Sequence, residues 1–185
     1  MVMKQIECRD VILRHFLESD LYDFYNYARI DGVGEKAGWR HHLTIEMSKA
    51  VLYNQLLEQE NVFALEHKNT HHVIGSISVE KSSLTNDFPS MNCLEIGYVL
   101  HPQYQNKGIM SDVVKNLTQI FFQENLCECF LICCDEKNLA SQKVALHNGF
   151  KKYKKTENIY YPALDEMRTL YCYYLEKEKK TSPLK

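Results

Sequence analysis

The segment from Glu95 to Met110 constrains the fold of this chain more than any other part of the sequence. Its apolar first half ends at Pro102, which cannot donate to a β-ladder, so a strand must stop there. A polar loop follows, and Gly108 then opens a helix whose apolar residues keep helical spacing through Phe121. The first turn of such a helix has unsatisfied N–H groups and about half a positive charge. We therefore predict an anion site, suited to a phosphate, at this strand–loop–helix junction.

The loop itself carries residues that suit an anion. Gly108 lets the backbone approach closely, Lys107 adds positive charge, and Asn106 is among the few non-glycine residues that tolerate a left-handed turn. An ordinary strand–loop–helix connection with a glycine has the same pattern, and the fragment alone favours neither interpretation. The loop is not a Walker loop, because Gly-Lys-Ser/Thr is absent, and it lacks two of the three glycines of a dinucleotide fingerprint.

Hydrophobic periodicity predicts helices and strands on both sides of this segment. The predicted strands are 11–16, Val62–His67, Val73–Val79, Cys93–Leu100, Phe130–Cys134, 150–155 and 167–175, and the predicted helices start at Ser19, Thr44, Ile109 and Leu139. Asn138 is a candidate N-cap and Gly149 a candidate C′ residue of the last helix. The order β-α-α-β-β-β-α-β-α-β-β predicts an α/β fold (an α+β mixed sheet) with about seven strands and four helices.

Length and composition exclude several classes of protein. The 185 residues suit a single domain from residue 1 to 176, with a charged tail at 177–185. Lys and Arg number 22 against 24 Asp and Glu, and the net charge of −2 argues against a protein whose main task is to bind nucleic acid. The N-terminus is charged almost at once, no stretch approaches the ~18 apolar residues of a membrane span, and seven cysteines are an odd number. We expect a soluble, cytoplasmic protein with no membrane partner.

Other candidate sites are weaker. The four cysteines between Cys127 and Cys134 lack the paired Cys-x-x-Cys spacing of zinc sites. Histidines occur in pairs at 41–42 and 71–72. Adjacent residues on a strand point to opposite faces, so the two members of a pair are unsuited to bind one ion, and we expect no metal. The lysine run at 151–155 predicts a solvated strand face, and an acidic partner such as RNA stays open as an alternative.

Four segments share their order and spacing with a known family. They are the opening strand Cys8–Phe16 with Ser19-Asp20, the strand Glu95-Ile-Gly-Tyr98, the loop Gln105-x-x-Gly108-x-Met110, and Asn138-Leu-Ala-Ser141 leading to Asn148-Gly149-Phe150. Together they resemble the GNAT superfamily of acetyl-CoA-dependent N-acetyltransferases, and within it the RimJ/RimL-like branch, which acetylates α-amines of ribosomal proteins and other amines. The family loop reads Gln/Arg-x-x-Gly-x-Gly/Ala. Met110 departs from its small last residue, and Asn106 stands where the branch usually has glycine.

The resemblance implies a GNAT-like acyl-CoA N-acyltransferase fold whose sheet splays between the fourth and fifth predicted strands, Cys93–Leu100 and Phe130–Cys134. It implies acetyl-CoA as cosubstrate, with pantetheine paired to the fourth strand and the diphosphate over the N–H groups of 105–110. The coenzyme-binding residues it implies are Tyr98, Val99, Leu100, Gln105, Asn106, Lys107, Gly108, Ile109, Met110, Asn138 and Ser141.

Strand alternation puts Glu95 and Gly97 on one face, and the glycine leaves open space beside the carboxylate. A general base there would remove the proton of an ammonium before its nitrogen attacks the thioester. The residues alone favour a structural role, in which polar neighbours or water satisfy the carboxylate of Glu95. The resemblance favours the role of general base. The resemblance also implies that Ser141 protonates the departing CoA sulfur. Transfer is then direct, in a ternary complex, and Cys133 and Cys134 are expected in the core rather than on an acyl-cysteine route.

The loop between the first two predicted helices supplies candidates for the acceptor end. The RimJ/RimL-like branch often carries Trp-x-x-His there, which Trp39 and His42 match, so Trp39, His41 and His42 are predicted to line the acceptor cleft. The leading hypothesis is an N-acetyltransferase acting on a primary amine, either a protein N-terminal α-amine or a small-molecule amine. The alternatives are a non-catalytic CoA-binding or partner-binding module on the same fold and an RNA-associated protein. The sequence leaves open which amine is the acceptor and whether the protein forms a homodimer.

Overall fold

A computed structural model describes residues 5–178 of the chain. The strands are β1 (Ile6–Glu7), β2 (Val11–Arg14), β3 (Val62–His67), β4 (Val73–Glu80), β5 (Cys93–Leu100), β6 (Cys129–Asp135), β7 (Lys151–Tyr161) and β8 (Glu166–Glu176). The helices are α1 (Leu21–Ala28), α2 (Ile45–Val51, continued by a π-helical turn at Leu52–Leu56), α3 (Ile109–Gln123) and α4 (Leu139–His147). Most of the predicted tail at 177–185 lies outside the described residues.

The strands form one mixed sheet in the order β1-β2-β3-β4-β5-β6-β8-β7. Neighbouring strands run antiparallel except β5 and β6, which are parallel. This sheet with its four helices confirms the predicted fold class. The hydrophobic pattern missed β1, because two residues are too few to show a period. It also ended β7 too early, at residue 155, because two register shifts interrupt the alternation of that strand.

The two parallel strands separate along their length. Their pairing consists of Cys93 with Cys129, Leu94 with Phe130 and Glu95 with Leu131, and it stops there. Beyond that point β5 stays paired with β4 through Leu100, and β6 stays paired with β8 through Asp135. Because each strand is held by its outer neighbour, the sheet opens into a wedge between them, as the resemblance implied.

Helices cover both faces of the sheet. On one face α3 buries Val113, Val114 and Leu117 completely, and each such side chain stabilises the fold by about 1.5–3 kcal/mol relative to exposure. On the other face Phe24 and Tyr27 of α1 pack in a second cluster. Within residues 5–178 no helix has the length and apolar character needed to cross a membrane.

A buried ion network ties the start of the chain to the sheet. The guanidinium of Arg14 donates to both carboxylate oxygens of Asp20, at 2.7 and 2.9 Å, and to Glu66 of β3. Asp20 is only 5% exposed and also accepts the backbone N–H of Leu17 at 2.8 Å. These contacts fix the entry into α1, and the segment that follows α1 lines the site described below.

Replacing Arg14 by Leu leaves the buried carboxylate of Asp20 without its cation. We expect the free energy of unfolding to fall by about 3 kcal/mol, the usual cost of removing one partner of a buried ion pair. The matched control is Arg29→Leu on the exposed surface, which should change it by less than about 0.5 kcal/mol. Urea denaturation measures both variants, and equal stabilities would contradict the structural role of the network.

Candidate active site

A cavity of about 1130 Å³ occupies the wedge between β5 and β6. Its wall includes Glu95 and Gly97 from one face of β5, and Ile96 and Tyr98 from the other face. Since successive side chains of a strand point to opposite faces, the cavity passes through the sheet. One end is bounded by α3 and α4, and the other by the segment that follows α1. Two molecules can therefore approach each other from opposite faces of the sheet.

The loop before α3 forms the first end of the cavity. Pro102 begins a short turn directly after β5, and the Gln105 side chain donates to the Leu100 carbonyl at 2.8 Å, which closes the loop onto the strand end. Asn106 and Gly108 both have left-handed backbone, with φ of 60° and 77°. Within the described residues, the backbone N–H groups from Asn106 to Ser111 have no protein acceptor. A row of free N–H groups at a helix N-terminus is a binding site for phosphate oxygens.

The predicted coenzyme-binding residues lie together in this cavity with one exception. Those that line it are Tyr98, Val99, Leu100, Gln105, Asn106, Gly108, Ile109, Met110, Asn138 and Ser141. Lys107 does not, because its ammonium lies over the ring of Tyr104, 5.2 Å from the ring centre. The side chain of Met110 is larger than the Gly or Ala of the family loop, but it is buried in the core beneath the loop. It therefore leaves the backbone donors accessible.

Ser141 lies where α4 meets β5. The Asn138 side chain accepts the backbone N–H of Ser141 at 3.2 Å, so the predicted N-cap is confirmed. The Ser141 hydroxyl lies 2.9 Å from the hydroxyl of Tyr98. Burial raises the pKa of Tyr98, so its phenol stays protonated at neutral pH. The pair is a short chain of hydroxyl groups that can pass a proton toward the cavity.

Glu95 lies where the parallel pairing stops, on the opposite face from Tyr98. Burial raises the pKa of its carboxyl, the hydroxyl of Ser82 and the thiol of Cys133 oppose this shift, and the negative charge of Glu80 adds to it. Glu80 is the direct cross-strand partner of Glu95 on β4, and both line the cavity. A carboxylate with a raised pKa holds a proton more readily, which suits a general base.

The backbone of Gly97 keeps a space open beside this carboxylate. A Cβ atom at Gly97 would meet only the hydroxyl of Ser78, at 3.0 Å, and nothing else within 4 Å. Ser78 and Glu80 lie on the same face of β4 and also line the cavity. The wall next to Glu95 is therefore polar and anionic on the side that faces α1.

The second end of the cavity is bridged by two segments distant in sequence. Arg40, in the loop between α1 and α2, donates to the carbonyl of Ala163 at 2.7 Å, and Arg168 of β8 donates to the carbonyl of Glu35. A Cβ atom at Gly38 would lie 2.6 Å from the ring of Tyr161, so a glycine is required where these segments meet. This contact borders the end of the cavity that Trp39 and Tyr161 line.

Of the three residues predicted to line the acceptor cleft, Trp39 lies in the cavity wall and the two histidines do not. His42 is buried against Phe24 and Trp39, and its Nδ1 lies 2.7 Å from the Ser48 hydroxyl. Burial lowers the pKa of His42, so it is a neutral core residue. The prediction for His41 and His42 is corrected, because packing and hydrogen bonding hold both side chains away from the cavity.

His41 belongs to a local cluster with Asp31 and Glu35, whose ligand atoms lie within 4.8 Å of one another. The contacts of Glu35 already account for this arrangement. Its carboxylate accepts the backbone N–H groups of Gly32 and His41, both at 2.8 Å, and lies 2.9 Å from Nδ1 of His41. The cluster therefore shapes the loop, and these contacts lower the pKa of Glu35 although burial opposes them.

Cys133 and Cys134 lie in the cavity wall, not only in the core as predicted. The neighbouring thiol of Cys172 and burial raise the pKa of Cys133, and burial raises that of Cys134 to about 11. Since the thiolate is the nucleophile, two protonated thiols are poor acyl acceptors at neutral pH. Their chemistry supports direct transfer over an acyl-cysteine route.

The lysine run at 151–155 is mostly engaged within the protein. Lys152 lies over the ring of Tyr171, Lys154 pairs with Asp87 at 2.9 Å, and Lys155 pairs with Glu157 at 2.7 Å. Lysines already paired with carboxylates offer little net charge to a polyanion. The RNA-associated alternative is therefore disfavoured.

Known proteins share this fold. Residues 10–151 match the family model described as an acetyltransferase (GNAT) domain. No curated protein sequence matches the chain significantly. Among solved structures, a GNAT-family acetyltransferase from Bacillus anthracis superposes with a TM-score of 0.81 at 20% identity, covering 95% of this chain and 99% of that one.

Two further solved structures are ribosomal-protein acetyltransferases. One is RimL, a ribosomal L7/L12 α-N-protein acetyltransferase in complex with coenzyme A, with a TM-score of 0.75, 22% identity, and coverage of 94% of this chain and 98% of that one. The other, from Salmonella typhimurium, modifies the N-terminal serine of L7/L12, with a TM-score of 0.75, 21% identity, and coverage of 95% and 100%. At these identities the likeness establishes the fold.

The environment of Glu95 leads to a prediction about stability. Because its pKa is raised in the folded protein, ionising it costs folding free energy at every pH above the ordinary value of about 4.5. We expect Glu95→Gln to raise the free energy of unfolding at neutral pH, and the gain to shrink as the pH falls and vanish below the ordinary pKa. Urea denaturation across a pH series measures it. The exposed control Glu124→Gln should show no such gain, and a wild-type-like pH profile for Glu95→Gln would refute the assignment.

Proposed function

This chain belongs to the GNAT acetyltransferase family, and we propose that it transfers the acetyl group of acetyl-CoA directly to a primary amine. The acceptor is either the α-amine of a protein N-terminus or a small-molecule amine. One observation carries the proposal: a single cavity joins a row of free N–H groups before α3 to the carboxylate of Glu95. Its RimL-type structural neighbours support the RimJ/RimL-like branch predicted from the sequence.

The residues present fit acetyl-CoA. The free N–H groups from Asn106 to Ser111 would hold its diphosphate, and the unpaired edge of β5 beyond Glu95 would hold the amide groups of pantetheine. The cavity, at about 1130 Å³, is slightly larger than the ~300–1,000 Å³ usual for ligand sites, as expected for a long coenzyme together with an acceptor. Acetyl-CoA supplies the acetyl thioester that the amine attacks.

Glu95 acts as the general base in this proposal. Most primary amines are protonated at neutral pH, so a proton must leave the acceptor before its nitrogen can attack. Glu95 removes it directly or through a water molecule, and its raised pKa strengthens it as a base. Glu80 beside it adds a second negative charge, which attracts the ammonium form of the acceptor into the cavity.

Ser141 serves the leaving group. Its hydroxyl donates a proton toward the departing sulfur, while the hydroxyl of Tyr98, 2.9 Å away, is positioned to replace that proton. Glu95 and Tyr98 project from opposite faces of β5, so the base and the acid work from opposite sides of the wedge. This division of roles requires both substrates to be bound together, which is the ternary complex predicted from the resemblance.

The acceptor enters at the end of the cavity bounded by Trp39 and Tyr161. Both are aromatic, and the carboxylates of Glu80 and Glu95 line the same cavity, so this end suits a cationic amine. The neighbours that acetylate ribosomal-protein N-termini favour a protein α-amine as the first acceptor to test.

All seven cysteines are free thiols, and burial raises the pKa of Cys8, Cys127, Cys129 and Cys134. Unpaired cysteines in this number fit a reducing compartment. We therefore propose that the protein works in the cytoplasm.

The direct test is release of CoA thiol from acetyl-CoA with a panel of acceptors: peptides with free N-termini, polyamines and aminoglycosides. We expect turnover with at least one class. Glu95→Gln should lower kcat by about 10²–10⁴-fold, the usual contribution of a general base, and leave the Kd for CoA unchanged. Ser141→Ala should lower kcat with the same acceptor.

The control for this assay is Glu124→Gln, which replaces an exposed glutamate at the end of α3. It should keep full activity. Tight CoA binding without turnover for any acceptor would instead favour the alternative, a non-catalytic CoA-binding or partner-binding module on the same fold.

The pH profile tests the pairing of the two carboxylates. Because Glu80 contributes to the raised pKa of Glu95, Glu80→Gln lowers that pKa. The deprotonated base then persists to lower pH, so the acidic limb of the kcat profile should move to lower pH. An unmoved limb would show that Glu80 does not act on the base.

A further inference from the structure

Arg9 lies at the mouth of α3, although it belongs to the turn between β1 and β2. Its backbone N–H donates to the Asp112 carboxylate in the first turn of α3 at 2.8 Å. Its Nη2 donates to the carbonyl of Lys107 at 3.1 Å, and a Cβ atom on Gly108 would lie 3.7 Å from the same nitrogen. The guanidinium is therefore adjacent to the free N–H groups that open the helix.

The guanidinium of Arg9 has donors to spare. Nε and Nη2 both donate to one oxygen of Asp10, at 2.8 and 2.7 Å. Within residues 5–178, Nη1 has no hydrogen-bond partner, and the side chain is 60% exposed. The N–H groups of Nη1 can therefore donate charge-assisted hydrogen bonds to phosphate oxygens.

Local charge gives Arg9 a second role. Asp10 and Asp112 both lie at the mouth of α3, and their carboxylates would repel phosphate groups. Lys107, which the sequence predicted as the cation of this loop, lies over the Tyr104 ring instead. Arg9 is thus the cation that contacts the loop backbone, and it offsets the acidic side chains around it.

We propose that Arg9 is a phosphate-binding residue of the coenzyme site, whose guanidinium contacts the diphosphate or the 3′-phosphate of CoA. The proposal rests on the proposed function, because it requires that CoA occupies the cavity. It adds a residue from the N-terminal turn to a site otherwise built from β5, α3 and α4. A structural role, in which Arg9 only fastens the turn to the loop, is the competing explanation.

Calorimetric titration of Arg9→Gln separates the two explanations. Gln at this position keeps a polar side chain but carries no charge. We expect its Kd for CoA to rise about tenfold, the loss of one charge-assisted hydrogen bond, with a weaker dependence on salt than the wild type shows. Its Kd for pantetheine, which has no phosphate, should match the wild type.

A third ligand, 3′-dephospho-CoA, identifies the phosphate. If Arg9 contacts the 3′-phosphate, Arg9→Gln binds dephospho-CoA as tightly as the wild type does. If Arg9 contacts the diphosphate, the variant loses affinity for CoA and dephospho-CoA alike. Either result supports the proposal.

The matched control is Asp10→Asn, which removes the carboxylate that shares the guanidinium. CoA should bind this variant at least as tightly as the wild type. Wild-type affinity of Arg9→Gln for CoA, or an equal loss for CoA and pantetheine, would overturn the role of Arg9 while leaving the proposed function intact. If wild-type protein gives no heat with CoA, the proposed function fails and the role of Arg9 fails with it.

Discussion

The site depends on one constraint in the sheet: β5 and β6 are parallel neighbours whose pairing ends at Glu95 and Leu131. Beyond that point each strand remains paired on its other side, with β4 and β8 respectively, so neither is free to close the wedge. Backbone N–H and C=O groups beyond Glu95 have no partner strand, and burying them unpaired would cost free energy. An open cavity leaves these groups accessible to a ligand. The coenzyme site is thus a consequence of where the pairing stops.

The same constraint separates the chemistry into two halves. Because the cavity crosses the sheet, Ser141 and Tyr98 lie on the side of α3 and α4, while Glu95 and Glu80 lie on the side of α1. In the proposed function, the acidic wall and the aromatic end would receive the cationic amine, and the helix N-terminus would receive the anionic phosphates. Keeping the two charged regions at opposite ends avoids repulsion between the carboxylates and the coenzyme.

Local rules predicted much of this arrangement from the sequence. Pro102 ends β5, Asn106 takes a left-handed backbone, and Asn138 caps α4, because each effect depends on neighbours within a few residues. The family resemblance added the wedge. What the sequence did not reveal depends on strand register and packing between distant segments. Glu80 faces Glu95 only through the pairing of β4 with β5, and no periodic pattern links Arg9 to Gly108 or buries His42.

The most direct measurement is a crystal structure of the protein with coenzyme A bound. We predict that the diphosphate lies on the N–H groups between Asn106 and Ser111, that pantetheine follows the free edge of β5, and that the sulfur lies between Glu95 and Ser141. A nucleotide bound away from Gly108, or strands β5 and β6 paired along their full length around the ligand, would contradict it.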